Sequence, residues 1–283
     1  MSGATTWQRL LQDRGARAAG AVLLAAAVLA ALAPVIAPHD PVLQPDPVAL
    51  RLLAPSWRHP FGTDPFSRDV LSRVLHGARV SLGVAVGAML LSVTLGTALG
   101  ALAAVVGGWV DALVSSLVDL LIAMPRLLVV IALVATFGVL SPVWLVVLIG
   151  GSGWLTTARI VRAELRDHLQ REYVVAARAL GASRWRLLWH HLLPAVAPQV
   201  AVAAALALGA VIPLEAALSF VGLGVQPPLP SWGNILLDGT DYLTSAWWLV
   251  VFPMSAISLT VGAALVLADR LRVAIGGDEA RRR

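Results

Sequence analysis

Long apolar runs take up most of this chain, and short polar stretches rich in arginine, aspartate and proline separate them. A helix needs about 20 largely apolar residues to cross the hydrocarbon core of a bilayer. Six runs come close to or exceed that length: 18–37, Val80–Val106, Asp111 to about Gly138, about Pro142 to Ala158, Ala195–Val221 and Ala246–Ala268. Val80–Val106 holds no charged residue, and its small residues recur as the pairs Gly83/Gly87 and Gly96/Gly100, a spacing that lets helix backbones approach closely. The pattern predicts an all-α polytopic membrane protein with six transmembrane helices. Its segments are a tail 1–17, the first span 18–37, an irregular proline-rich segment 38–78, a membrane body 79–270 and a tail 271–283. A cleaved signal peptide would share the basic start and the Ala31-Leu32-Ala33 box, but the apolar run continues through Val35-Ile36 and is long enough to span.

One polar island breaks this rhythm, Arg171 to Pro194. Tyr173, Ala176, Ala177 and Leu180 fall at i, i+3, i+4 and i+7, one face of a short helix. Gly181 stands where a helix end favours positive φ. Ser183 can cap a second helix, on which Trp185, Leu188, Trp189 and Leu192 repeat the spacing before Pro194 closes it. Two short amphipathic helices joined by a tight turn present a small-residue face and an arginine-rich face, a shape suited to being gripped by another protein. A DNA-binding helix-turn-helix would share the turn and the arginines, but membrane-length runs flank this one on both sides.

Composition agrees with the membrane reading. Hydrophobic residues make up 58% and charged residues 13%, about half the usual charged share of soluble domains, and mean hydropathy is +0.82. Every basic side chain of the arginine/lysine class is arginine. The absence of lysine excludes a Walker A site, so this chain does not itself hydrolyse ATP by the P-loop route. The absence of cysteine excludes disulfides and thiolate chemistry. Most arginines lie in the N-terminal tail, in 159–186 and at the C-terminus, which six spans place on one side, the cytoplasmic one. Arg51, Arg58, Arg68 and Arg73 lie on the other side, accompanied by Asp40, Asp46, Asp64 and Asp69.

Enzyme constellations are missing: there is no H-E-x-x-H, no glycine-bounded serine elbow and no close carboxylate pair in the spans. His39, His59 and His76 are irregularly spaced and read as solvated loop histidines, so neither metal nor cofactor is expected. Asp119, Pro125 and Arg126 sit within the third run, where ionisable groups either line a pathway or reach the cytoplasmic face. Glu215, with Ser219 one turn on, is the buried acid of the fifth span; it either lines a path or gate or serves as a hydrogen-bonded structural group.

Three blocks carry a family resemblance. Ala176-Ala177, Gly181 and Leu192-Leu193-Pro194 resemble the coupling (EAA) loop of ABC-importer permeases, except that Val175 stands at the motif's acidic position, one turn after Glu172. His59-Pro60, Gly62-Thr63-Asp64, Arg68-Asp69-Val70-Leu71-Ser72-Arg73 and Gly77-Ala78-Arg79-Val80-Ser81-Leu82 resemble the opening signature of C-type dipeptide/oligopeptide/nickel permeases. Glu215, Ser219-Phe220-Val221-Gly222-Leu223-Gly224, Gln226-Pro227-Pro228 and Pro230-Ser231-Trp232-Gly233 resemble a later block of the same family. The resemblance implies a type I importer permease in the bacterial cytoplasmic membrane, both termini inside, forming half of a path for di- or oligopeptides or similar solutes. It implies two ABC ATPase subunits, a homologous B-type permease partner and an extracytoplasmic binding protein, and no nucleic acid. Coupling to the ATPases is then expected from Glu172, Tyr173, Ala176, Ala177, Arg178, Gly181, Ala182, Ser183 and Trp185, with Glu215, Ser219 and Asp119 as path or gate residues. The competing class is a secondary transporter or channel; no chain of intramembrane charges supports ion coupling.

Overall fold

A computed structural model of the chain describes residues 10–138 and 141–282. Asp13 caps the first helix, α1 (Arg14–Ile36), by accepting from the Ala16 amide at 2.7 Å. The second, α2 (Val70–Val106), begins ten residues before the apolar run predicted, because Asp69 accepts from the amide of Ser72 and sets its first turn. It ends at Gly107, whose φ of +69° stops the helix.

The run from Asp111 to Gly138, predicted as one span, is two helices, α3 (Gly108–Ile122) and α4 (Arg126–Phe137), bent by 88°. Pro125 explains the break: it offers no amide to the preceding turn and bars Met124 from helical geometry. The next helix, α5 (Pro142–Leu169), runs eleven residues past the predicted end of its span and carries Arg159, Arg162 and Arg166 on its last turns. Two short helices follow, α6 (Glu172–Ala179) and α7 (Arg184–Leu187). From Arg184 the chain stays helical to Phe220, through a π turn at Leu188–Leu192 into α8 (Leu193–Phe220). Pro194, expected to close the second short helix, therefore lies inside a continuous rod. Its ring would meet the carbonyl of His190 four residues back, and the turn is widened there. A short helix α9 (Trp232–Gly239) and the long α10 (Trp248–Arg282) complete the chain.

Glycines fix the central packing. A side chain on Gly96 would come within 2.7 Å of the Trp154 carbonyl, and one on Gly100 within 2.5 Å of the Ala158 carbonyl. Gly150 of α5 approaches the Ala88 carbonyl in return, and Gly87 meets Val146, whereas a side chain on Gly83 would have no other element within 4 Å of its Cβ among the described residues. Contacts climb together along both helices, so α2 and α5 run parallel, and α3–α4 must carry the chain back between them. At 1.5 Å per residue the return, from the level of Gly107 to that of Gly83, is roughly 36 Å, enough for a bilayer core. Among the described residues five helices have span length and apolarity by themselves, and the bent pair, taken as one broken span, gives a sixth.

The two ends of the bundle differ. At one, residues 38–69 fold against α9 and the start of α10: Trp248 donates to the Thr63 carbonyl at 3.0 Å, and Phe61 stacks on Phe252. At the other, α6 and α7 lie across the ends of α2 and α5.

Candidate functional site

The short-helix end is built on a small apolar cluster. Val174 of α6 and Leu187, Leu188 and Leu192 around α7 are buried against Ala101 and Ala104 of α2, Val161 and Leu165 of α5 and Val196 of α8. This pins α6 and α7 to three spans. The turn between them has the expected chemistry: Gly181 takes φ +87°, and the Ser183 hydroxyl accepts from the Arg186 amide. The same geometry turns the predicted faces outward. Tyr173, Val175, Leu180, Trp185 and Trp189 are exposed, Leu180 to 90% and Trp189 to 64%. The π turn separates Trp185 and Trp189 from Leu188 and Leu192, which α-helical spacing had put on one face. Ala176, Arg178 and Ser183 are exposed beside them, with Ala177 and Ala182 half-buried and Glu172 in the first turn of α6. The Tyr173 hydroxyl lies 2.9 Å from His168 Nδ1, and partial burial pushes its phenol above the usual tyrosine range.

Arginines edge this surface. Asp111, in the first turn of α3, is gripped by Arg162 and Arg166 of α5, with Arg162 Nη2 at 2.9 Å from its Oδ2. Asp119 pairs with Arg159 at 2.5 Å, both side chains more than half exposed. Thus α3 is tied to the last turns of α5, which lead into α6. A cleft of about 440 Å³ lies under the short helices, lined by the end of α2 and by Arg166, Arg178, Arg184 and Leu187.

Arg126 reaches inward from the break between α3 and α4. It donates to the Ile149 carbonyl at 2.8 Å and lines an open cavity of about 640 Å³ with Met124, Gly151, Ser152 and Trp154.

Glu215 and Ser219 are both only 1% exposed. Ser219 Oγ donates to Glu215 Oε1 at 2.7 Å and accepts from the Val225 amide at 3.0 Å, fastening the end of α8 to the loop that follows. Among the described residues no group hydrogen-bonds Glu215 Oε2. Gly224 and Gly233 close the cage: a side chain on Gly233 would lie 2.3 Å from the Ala216 carbonyl, and Asn234 Nδ2 donates to the Leu229 carbonyl at 2.9 Å. Replacing Glu215 by Gln preserves the acceptor, and we expect an unfolding midpoint in detergent close to wild type. Glu215→Ala takes away the acceptor of the Ser219 hydroxyl proton and should lower stability by about 1–3 kcal/mol, read from unfolding in detergent.

At the opposite end from the short helices the opening signature forms a buried ion network that irregular spacing did not reveal. Asp64 accepts from Arg68 Nε at 2.5 Å and from Arg73, and Asp238, just before the end of α9, accepts from Arg68 at 2.8 Å and Arg73 at 2.7 Å. His59, expected as a solvated loop histidine, is buried, with Nδ1 2.9 Å from Asp69 Oδ1. The signal was present in the sequence as the clustering of opposite charges over 64–73, but the partner Asp238 lies 165 residues on.

Residues 96–276 match the family described as binding-protein-dependent transport system inner membrane component, and residues 3–55 match the N-terminal TM domain of oligopeptide transport permease C. The dipeptide transport system permease protein DppC of Bacillus subtilis (strain 168) is 37% identical over 270 residues, covering 95% of this chain and 83% of that protein. The di/tripeptide transport system permease protein DppC of Pseudomonas aeruginosa (strain UCBPP-PA14) is 36% identical over 277 residues, with 95% and 90% covered. The glutathione transport system permease protein GsiD of Pectobacterium atrosepticum is 36% identical over 269 residues, with 95% and 89% covered.

Proposed function

We start from the fact that this chain belongs to the family of binding-protein-dependent transport system inner membrane components, and we propose how it couples and what it carries. It is a permease subunit of an ABC importer, embedded as a multi-pass protein in the inner membrane and working with ATPase and binding-protein partners. We place two ATPase subunits on the short-helix end, a homologous B-type permease beside this chain, the binding protein over the end that holds Asp64 and Asp238, and both termini in the cytoplasm. The cargo we assign is a dipeptide or short oligopeptide, supported by the named transport of the DppC relatives; the glutathione relative fits the same size of solute.

The observation that carries the coupling assignment is the outward pair Trp185 and Trp189 on an element whose other side is anchored to α2, α5 and α8. A rod-like path runs from the ATPase contact into the membrane, because α7 continues through the π turn into α8. Movement of α7 is then movement of a span. Glu172, Tyr173, Ala176, Ala177, Arg178, Gly181, Ala182 and Ser183 complete the contact, and exposed Val175 stands where an acid would otherwise add a charge. The Arg126 cavity between α3, α4 and α5 serves as this chain's wall of the path, with Asp119 one turn before Ile122, which lines it. Glu215 and Ser219 hold the outer hairpin in shape and contribute to gating through it rather than by touching cargo.

Proteoliposomes holding this chain with its permease partner, ATPases and binding protein test the reading. Dipeptide uptake should require ATP inside and binding protein outside. A trypsin-resistant gradient-driven uptake without ATPase would favour a secondary transporter. Covering the exposed part of one tryptophan is worth roughly 2–4 kcal/mol. Trp185→Ala should therefore weaken ATPase co-assembly about a hundredfold, measured by co-purification across a dilution series.

A further inference from the structure

Three side chains meet at the end of the bundle away from the short helices: His39, three residues beyond the end of α1; His59, in the tight turn Ser56–Gly62; and Asp69, the cap of α2. One ligand atom from each lies within 4.8 Å of the others. His59 Nδ1 is 2.9 Å and His39 Nδ1 3.7 Å from the same Asp69 oxygen, Oδ1, and the two rings stack with centroids 4.8 Å apart. From this geometry we propose that His39, His59 and Asp69 hold a divalent transition-metal ion of the zinc class, which clamps the end of α1 to the start of α2.

The chemistry favours an ion here over a mere hydrogen bond. A tetrahedral zinc with bonds of about 2.0–2.2 Å sets its ligand atoms about 3.3–3.5 Å apart. The two imidazole–Asp69 spacings, 2.9 and 3.7 Å, bracket that value, and the full spread of 4.8 Å closes with an inward shift of one side chain. Two imidazoles and a carboxylate are borderline donors suited to zinc, and water completes the fourth position. Asp69 is, among the described residues, a buried carboxylate of this region that pairs with no arginine. Arg68 and Arg73 are engaged by Asp64 and Asp238, which balance their two charges with two. Among the described residues, the Asp69 carboxylate is contacted by the two imidazoles, Ser72 and the first turn of α2.

The surrounding hydrogen bonds orient the ligands. Ser72 donates to Asp69 Oδ2 through both its amide, at 2.8 Å, and its hydroxyl, at 2.7 Å, which saturates that oxygen and leaves Oδ1 for an ion. The same hydroxyl accepts from the His39 amide at 3.1 Å, so the backbone of His39 is tethered to the helix that carries the carboxylate. Such outer partners hold metal ligands in place in known sites. His39 is the adjustable member: its side chain is 44% exposed, against 11% for His59 and 1% for Asp69, so it can swing the last ångström inward. Clamping there would restrain residues 38–69 against the first turn of α2.

Zinc binding to the tag-free full-length chain in lipid nanodiscs decides the matter. The variants are His39→Ala, which removes the exposed ligand and spares the buried network, and His190→Ala/His191→Ala, which removes the exposed adjacent pair at the other end. Wild type and the double variant should each bind a single zinc saturably and show a raised thermal midpoint on adding it. His39→Ala should lose both effects while keeping the zinc-free midpoint of wild type. Absence of saturable binding in wild type, or retention of it in His39→Ala, overturns the site.

Discussion

Gly181→Asp is expected to abolish ATP-driven uptake while the chain still inserts in the membrane at the wild-type level. The glycine turns the chain between α6 and α7 at φ +87°, a region that side chains disfavour by about 1–2 kcal/mol and that aspartate tolerates better than most. Among the described residues, its chain neighbours apart, no atom lies within 4 Å of a Cβ added there, so the substituent meets no internal obstacle and the bundle keeps its packing. What it meets is outside. The turn sits between exposed Leu180 and exposed Trp185, and a carboxylate placed there must be desolvated against whatever covers those residues. Gly181→Asn separates charge from shape: its size matches, it visits positive φ, and it should keep a measurable share of uptake. Uptake in proteoliposomes, with surface labelling to count inserted chains, checks both; wild-type uptake by Gly181→Asp would remove the coupling role of this turn.

What the sequence revealed of this element, and what it did not, follows from the range of the interactions involved. Ser183 and Gly181 act on their own neighbours within three residues, so capping and turn chemistry place them correctly from the chain alone. The spans likewise follow from runs of apolar residues, since a membrane-length helix needs no distant partner to satisfy its backbone. Pro194 misleads because a proline ends a helix only if the preceding turn cannot widen, and the π turn at Leu188–Leu192 widens it. That widening then sends Leu188 and Leu192 inward and Trp185 and Trp189 outward, which no α-helical spacing foresees. Pro125 shows the opposite outcome, a break of 88° in a run with unbroken apolarity. His59 and Asp238 were illegible for a plainer reason. Asp238 meets Arg73 from 165 residues on, and His59 meets Asp69 across a ten-residue loop, so no helical spacing rule relates either pair.

The glycines of the central pair give the largest effect expected on the fold. Gly100→Leu should destabilise the bundle by about 3 kcal/mol, the upper part of the range for overpacked cores. Its Cβ would stand 2.5 Å from the Ala158 carbonyl and 3.1 Å from the Ala158 Cα, both backbone atoms that cannot rotate away. Relief requires moving α5 as a whole off α2. Because Ala101 and Ala104 of α2 and Val161 and Leu165 of α5 form the seat of α6 and α7, that shift also unseats the surface we propose as the ATPase contact. Gly83→Leu is the matched control on the same helix: no atom lies within 4 Å of its Cβ, and apolar bulk there costs little. The two variants should therefore part company in two independent readings. Gly100→Leu should lower the unfolding midpoint in detergent and reduce ATPase co-purification, and Gly83→Leu should change neither. Equal midpoints for the two would mean that α2 and α5 are not held by this close backbone contact, and that the coupling end draws its rigidity from the Asp111–Arg162–Arg166 ties alone.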